Sequence, residues 1–161
     1  MADRDDTAEA FWRFSLMVYG RPGVAEALIT LQDRSGHNVN LILYGLWLGI
    51  CEATRLDGAA LSRAKAAIET LDRNVVAPLR GLRRALKSDP DPDVRDLRRR
   101  VLALEIATER QVQARLAATA PGREAEAGDR HAITESNLRL ILGGDFTSEE
   151  AALLRRLIAS F

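Results

Sequence analysis

The chain has 161 residues, 47% hydrophobic and 29% charged, which is enough apolar material to close the core of one domain. Its 23 basic residues balance 23 acidic ones, which excludes a generally cationic nucleic-acid coat but leaves room for a local basic patch. A single cysteine excludes a disulfide framework and an all-cysteine metal site.

Alanine (25) and leucine (23) far outnumber valine and isoleucine (8 each), a bias towards residues that lose little on entering a helix. The fold class predicted is all-α. The expected architecture is a single-domain bundle, residues 1–161, of about six or seven helices around a central apolar helix (39–54), with a long helical hairpin (59–87 and 92–118). Arginine outnumbers lysine 21 to 2, which reads either as phosphate recognition by guanidinium groups or as the imprint of a GC-rich genome. Met1 to Asp6 is acidic and no apolar signal core follows it, so a flexible tail over 1–6 and a cytoplasmic location are expected. The longest nearly unbroken apolar run, Leu41–Cys51, is too short to span a bilayer and suits a buried helix.

In chain order, Asp6-Thr7-Ala8-Glu9 has the spacing of a capping box, predicting a first helix from Thr7 to Tyr19. Phe11, Phe14 and Val18 recur at helical spacing, and Gly20 closes the helix. A second helix follows from Pro22 to Arg34, with Val24, Leu28 and Leu31 inward and Gly36 as its stop. Asn38 is placed to cap a third helix, Val39 to Thr54, that is apolar nearly all round and therefore buried on most sides. Gly45 and Gly49 lie four apart on it; a glycine costs about 1 kcal/mol against alanine in a helix, which implies close approach of another helix there. The fourth helix shows Leu61, Ala64, Ile68 and Leu71 on one face and should kink or restart at Pro78. Pro90 and Pro92 among aspartates break the chain before a fifth helix, Pro92 to Ala118. Residues 121–131 read as a mobile loop, followed by a short helix ending at Gly143-Gly144. Thr147 with Glu150 forms a second capping box ahead of the last helix.

Three constellations are candidates for function. The polar joint Asp33, Arg34, His37, Asn38 and Asn40, with Glu52 at the far end of the apolar run, reads either as a small-ligand or anion pocket at a helix start or as ordinary capping and a helix end emerging into water. Between Arg73 and Arg100 nine basic residues meet four acidic ones. There Arg80, Arg83, Arg84, Arg95, Arg98 and Arg99 form either an anion- or nucleic-acid-binding patch or a salt-paired, solvated end. No aromatic residue lies within that stretch to stack bases, so nucleic acid is the weaker of its readings. The aromatic set Phe11, Trp12, Phe14 and Tyr19 either anchors a partner or packs against Trp47 in the core. Catalytic templates are missing: there is no phosphate-binding Gly-Lys-Ser/Thr loop, no Gly-x-Ser-x-Gly and no Glu-x-x-His pair. Cys51 reads as an inert core thiol. No catalytic residue, metal or cofactor is therefore assigned.

Phe11-Trp12-Arg13-Phe14-Ser15, Val18-Tyr19-Gly20-Arg21-Pro22-Gly23-Val24, Leu31-Gln32-Asp33-Arg34-Ser35-Gly36 and Val39-Asn40-Leu41 resemble an uncharacterised family of small proteobacterial proteins that carries a domain-of-unknown-function label. The resemblance covers residues 11–49 and implies a bacterial, cytoplasmic, helical protein; it brings no activity with it. The leading expectation is a non-enzymatic protein-interaction or regulatory protein with an unknown protein partner or a second copy of itself. The alternative is a small-ligand binder or enzyme with its site at the start of the buried helix, which requires a cavity beside Asn40.

Overall fold

The computed structural model describes residues 2–122, 128–144, 147–159 and 161, with side chains from Asp6 onward. Its helices are α1 (Ala2–Tyr19), α2 (Val24–Ser35), α3 (Val39–Ile50), α4 (Gly58–Leu71), a π-helical turn (Asp72–Val76), α5 (Ala77–Ala85), α6 (Pro92–Ala118), α7 (Arg130–Leu142) and α8 (Ser148–Ala159). No strand occurs among the described residues, and the fold is a single-domain, all-α bundle. Residues 123–127 of the loop expected over 121–131 lie outside the described residues, as does Met1 of the N-terminal tail.

α4, the π turn and α5 run on as one rod, which packs along α6 as the long hairpin foreseen from the sequence. The restart expected at Pro78 takes the form of the π turn. The Ala77 N–H reaches back five residues to the Asp72 carbonyl, which widens the rod just ahead of the ring that cannot donate. α1 begins at Ala2 rather than Thr7, so the Asp6–Glu9 box is not its N-terminus.

α3 occupies the centre. Ile42 and Leu46 are completely buried, Trp47 is 2% exposed, and only Ile50 at the helix end is half-buried. Phe11 of α1 stacks on Trp47 with ring centroids 5.1 Å apart and meets Tyr44 at 5.9 Å. Of the aromatic set, then, Phe11 and Phe14 are core, whereas Trp12 and Tyr19 reach the surface. On the other side α7 lies against Gly45 and Gly49. A Cβ on Gly49 would come within 2.7 Å of the Thr134 Cα, and one on Gly45 within 2.5 Å of Ile141 Cδ1. Both glycines thus serve the close approach that their spacing predicted.

α3 ends four residues earlier than expected. Cys51 and Glu52 both donate their N–H to the Trp47 carbonyl (2.9 and 3.3 Å), and Ala53 then turns to φ 48°. Arg130 of α7 donates to the carbonyls of Ile50 and Cys51, putting a cation on the negative end of the helix. Cys51 is consequently exposed rather than in the core. Desolvation at the helix end, reinforced by Glu52, still raises its thiol pKa and keeps it in the less reactive protonated form. The loop that follows is pinned by Asn137, completely buried on α7. Its Oδ1 accepts from the Leu56 N–H (2.7 Å), and its Nδ2 donates to the carbonyls of Thr54 (2.9 Å) and Gly45 (3.3 Å).

α8 docks against α2 and α7. Its capping box forms as the sequence predicts, with the Thr147 N–H donating to Glu150 Oε2 (2.7 Å) and the Glu150 N–H to Thr147 Oγ1 (3.2 Å). Glu150 also meets His37 Nε2 at 3.3 Å, and Arg34 pairs with Glu149 at 2.8 Å.

Two predictions follow from this packing. Gly49→Ala gains helix propensity but must push α7 aside, an overpacking that costs about 1–3 kcal/mol. The variant is expected to lose stability in urea denaturation, whereas Gly81→Ala on α5, with nothing within 4 Å of the new Cβ, gains stability. Glu150 accepts hydrogen bonds from the Ser35 hydroxyl and the Thr147 N–H, which hold its pKa down at about 2. A depressed carboxylate pKa contributes stability above its unfolded value near 4.5 and loses it as pH falls towards 2. The melting temperature of wild type should therefore drop over that window more steeply than that of Glu150→Gln.

Candidate functional site

An open cleft of about 560 Å³ runs between α1, α2 and the α5–α6 hairpin, closed at its base by the start of α3. Helical periodicity sets each of its walls. Trp12, Ser15, Leu16 and Tyr19 share one face of α1, and Ile29, Gln32 and Asp33 one face of α2. Arg80, Arg83, Arg84 and Lys87 recur at three, four and seven residues on and just beyond α5. From α6 come Arg98, Leu102, Glu105, Ile106, Glu109 and Gln113.

The base is polar yet buried. Ser15, Asn40, Glu105 and Gln113 are each at most 4% exposed. Gln113 Nε2 donates to Asn40 Oδ1 at 3.0 Å. The Ser15 hydroxyl lies 2.9 Å from Gln113 Oε1 and 3.0 Å from the Phe11 carbonyl, one proton facing two acceptors. No buried side-chain nitrogen or oxygen among the described residues lacks a partner, as a buried polar network requires.

Above this base Glu105 is gripped from α5. Arg83 binds it in bidentate fashion, Nε to Oε2 at 2.5 Å and a terminal nitrogen to Oε1 at 3.2 Å. Arg80 approaches the same carboxylate at 3.4 Å and donates to Glu109 at 2.9 Å. The bond to Glu105 raises the Arg83 pKa, so the guanidinium stays charged. Burial raises the Glu109 pKa, against the pull of Arg80. Although part of its ring reaches the surface, desolvation against the cleft wall, with Glu109 adding to it, pushes the Tyr19 phenol up to about 12, so it faces the cleft protonated. At the mouth Arg84 pairs with Asp33 at 2.6 Å, tying α5 to α2.

Two constellations that stand apart in the sequence thus meet in one place. Asp33 and Asn40 of the polar joint share the cleft with Arg80, Arg83, Arg84 and Arg98. The other candidates lie elsewhere. Asn38 caps α3, its Oδ1 accepting from the N–H groups of Asn40 (2.9 Å) and Leu41 (3.2 Å), so the amides that were to face an anion are already bonded. His37 and Asn38 line a separate hollow beside Lys65 and Asp72, next to the π turn. Arg34 points to Glu149 of α8. Glu52 sits half-buried in a crevice with Thr7 and Thr54, at the opposite end of α3 from His37. Arg95 donates to the Pro90 carbonyl and Arg99 pairs with Asp96, both outside the cleft. Trp12 and Tyr19, read from the sequence as possible partner anchors, line this cleft, whereas sequence reasoning missed Glu105, Glu109 and Gln113 as site residues. The signal that could have found them is spacing: the three lie four residues apart on one face of α6.

Fold and site together define an all-helical, single-domain protein with an open cleft whose base is a buried polar network. Residues 10–116 match the model of a family described as Protein of unknown function (DUF2390), and the chain belongs to that family. No curated protein and no solved structure matches the chain. The matched span runs from α1 through α6 and holds every residue of the cleft, whereas α7 and α8 lie beyond it. No helix among the described residues is long and apolar enough to cross a membrane, and no group of three or more His, Cys, Asp or Glu side chains among them is placed to hold a metal.

Removing one side of a buried ion pair leaves the other charge uncompensated, at a cost of about 3 kcal/mol or more. Glu105→Ala should therefore lower urea stability by roughly that amount. Because an apolar replacement of both partners avoids the penalty, Glu105→Leu combined with Arg83→Met, which leaves the Arg80–Glu109 pair in place, should recover most of the loss. Equal stability of wild type and Glu105→Ala would show that the cluster does not hold the hairpin.

Proposed function

We propose that this protein is a non-enzymatic binder of a small organic ligand, with the cleft beside Asn40 as its site. The observation that carries this reading is convergence: a buried polar base, a basic wall and exposed apolar side chains meet in one concavity of ligand-binding size. Binding without covalent chemistry fits the groups present. The Ser15 hydroxyl is committed to the Gln113 and Phe11 oxygens, neither of which is a base that could activate it. Glu105 and Glu109 are tied down by Arg80 and Arg83. The cytoplasm remains the compartment proposed for it.

A second reading, a protein-interaction or regulatory surface that takes an unknown partner or a second copy, draws on Leu97 and Leu104. They lie seven residues apart on α6 and are 49% and 55% exposed. A surface for nucleic acid is supported least, because Arg80, Arg83, Arg84 and Arg99 are drawn into pairs with carboxylates.

The test is a thermal-shift screen against organic acids, organic phosphates and neutral amphiphiles, repeated on Leu16→Trp, which places a bulky ring at the mouth of the cleft. A ligand present at a hundredfold its Kd stabilises by about 2.7 kcal/mol, a rise of several degrees in a domain of this size. Hits on wild type that vanish in Leu16→Trp support the cleft. Hits that persist in the variant, or no hit combined with a dimeric mass that Leu97→Glu converts to monomer, overturn it in favour of the surface reading.

A further inference from the structure

We propose that the ligand of this cleft is a phosphate monoester carrying an apolar group, its head held by Arg98 and Lys87 and its body laid against Leu16, Ile29 and Ile106. The inference rests on the small-ligand reading above and assigns that ligand a chemistry.

The argument is an accounting of charge. Five cations and three carboxylates line the cleft. Arg80 and Arg83 are taken up by Glu105 and Glu109, and Arg84 by Asp33. Among the described residues no carboxylate pairs with Arg98 or Lys87. Arg98 donates its Nε to the Arg83 carbonyl at 3.3 Å, which fixes the plane of the guanidinium while leaving its two terminal nitrogens for another acceptor. A planar fork with free N–H groups suits two oxygens of one anion, and the lysine ammonium adds a point charge beside it. Two uncompensated cations balance a dianionic phosphate monoester, whereas a monocarboxylate leaves one of them unmatched.

The rest of the lining accounts for the ester group. Leu16, Ile29 and Ile106 are 55%, 51% and 44% exposed, yet all three face the same concavity as the cations. Three large aliphatic side chains from three helices, bare at one site, gain stability only when apolar surface covers them. Inorganic phosphate satisfies the cations and leaves this area wet. A neutral amphiphile does the reverse. A phosphate with a short aliphatic or aromatic substituent satisfies both.

Isothermal titration calorimetry with hexyl phosphate, hexanol, hexanoate and inorganic phosphate tests this directly. Hexyl phosphate is expected to bind at least about tenfold more tightly than any of the other three, with an affinity that falls as salt rises. Arg98→Gln and Lys87→Gln should each weaken it by about tenfold. Lys87 is exposed and its side chain bonds to no other group among the described residues, so Lys87→Gln serves as the variant that leaves stability unchanged should Arg98→Gln unfold the hairpin end. Hexanol binding as tightly as hexyl phosphate would remove the anionic head. Inorganic phosphate binding as tightly would remove the apolar arm, and hexanoate binding as tightly would remove the second charge. Unchanged affinity in both variants would remove the assigned residues. If none of the four compounds binds while the thermal-shift screen still returns hits that Leu16→Trp abolishes, this inference falls and the ligand-binding reading stands; if the screen fails as well, both fall.

Discussion

A carboxylate buried on α6 between two arginines of α5 governs much of this molecule. Glu105 is 4% exposed, and no charged group stays at such a depth unpaired without shedding its charge or forcing the structure open. Arg83 meets it with both prongs of its fork and Arg80 approaches from beside it. This locks the hairpin in register and turns α5's basic face inward. What reads in the sequence as a run of surface arginines is therefore a wall. The same constraint selects which cations remain available. With Glu105 and Glu109 holding Arg80 and Arg83, and Asp33 holding Arg84, the cleft keeps its positive character only towards the turn of the hairpin, where Arg98 and Lys87 lie.

The polar joint ahead of α3 divides in a comparable way. Asn38 and Asn40 are two residues apart, which on a helix start sets them on different sides of the backbone. Asn38 closes the helix by accepting from the second and third amides, which takes those two donors away from an outside anion. Asn40, the second residue of α3 and buried, accepts instead from Gln113 and joins Ser15 in a network that spans α1, α3 and α6. Capping and site-building were alternatives for the joint as a whole. The structure gives one role to each asparagine.

Features carried by local spacing were legible in the sequence. The number and placing of the helices, the Thr147–Glu150 box and the glycine face of α3 are all matters of three- and four-residue periodicity, and they stand in the structure. Features that depend on groups far apart in the chain were not legible. Nothing near Cys51 announces that Arg130, some eighty residues later, ends α3 and leaves the thiol outside. Nothing near Asn137 shows that its amide holds the loop at Thr54 and Leu56. The cleft belongs to the same class. Its walls are four amphipathic faces, each visible alone, but their meeting depends on where α1 crosses α6 and on the Asp33–Arg84 pair that joins α2 to α5. His37 and Glu52, grouped with Asn40 through proximity in sequence, separate because a helix carries its two ends apart, by roughly 18 Å over twelve residues.

The geometry of α3 explains how one helix supports both the core and the cleft. At 100° per residue, Tyr44 and Trp47 fall within roughly 40° of Asn40, whereas Gly45 and Gly49 fall roughly 140° and 180° away. One side therefore presents an amide and two aromatic rings to α1 and α6, where Phe11 stacks and Gln113 bonds. The opposite side carries no side chain at two positions, so that α7 closes against bare backbone. The two demands oppose each other in size. The aromatic side holds α1 off at ring thickness and so leaves the gap that opens outward as the cleft, while the glycine side removes all gap. α7 and α8 lie beyond the matched family span, yet α7 covers a face of α3 that no residue between 10 and 116 is placed to cover so closely. The cleft is built within the matched helices, but its base holds its position because α3 is seated against α7 behind it.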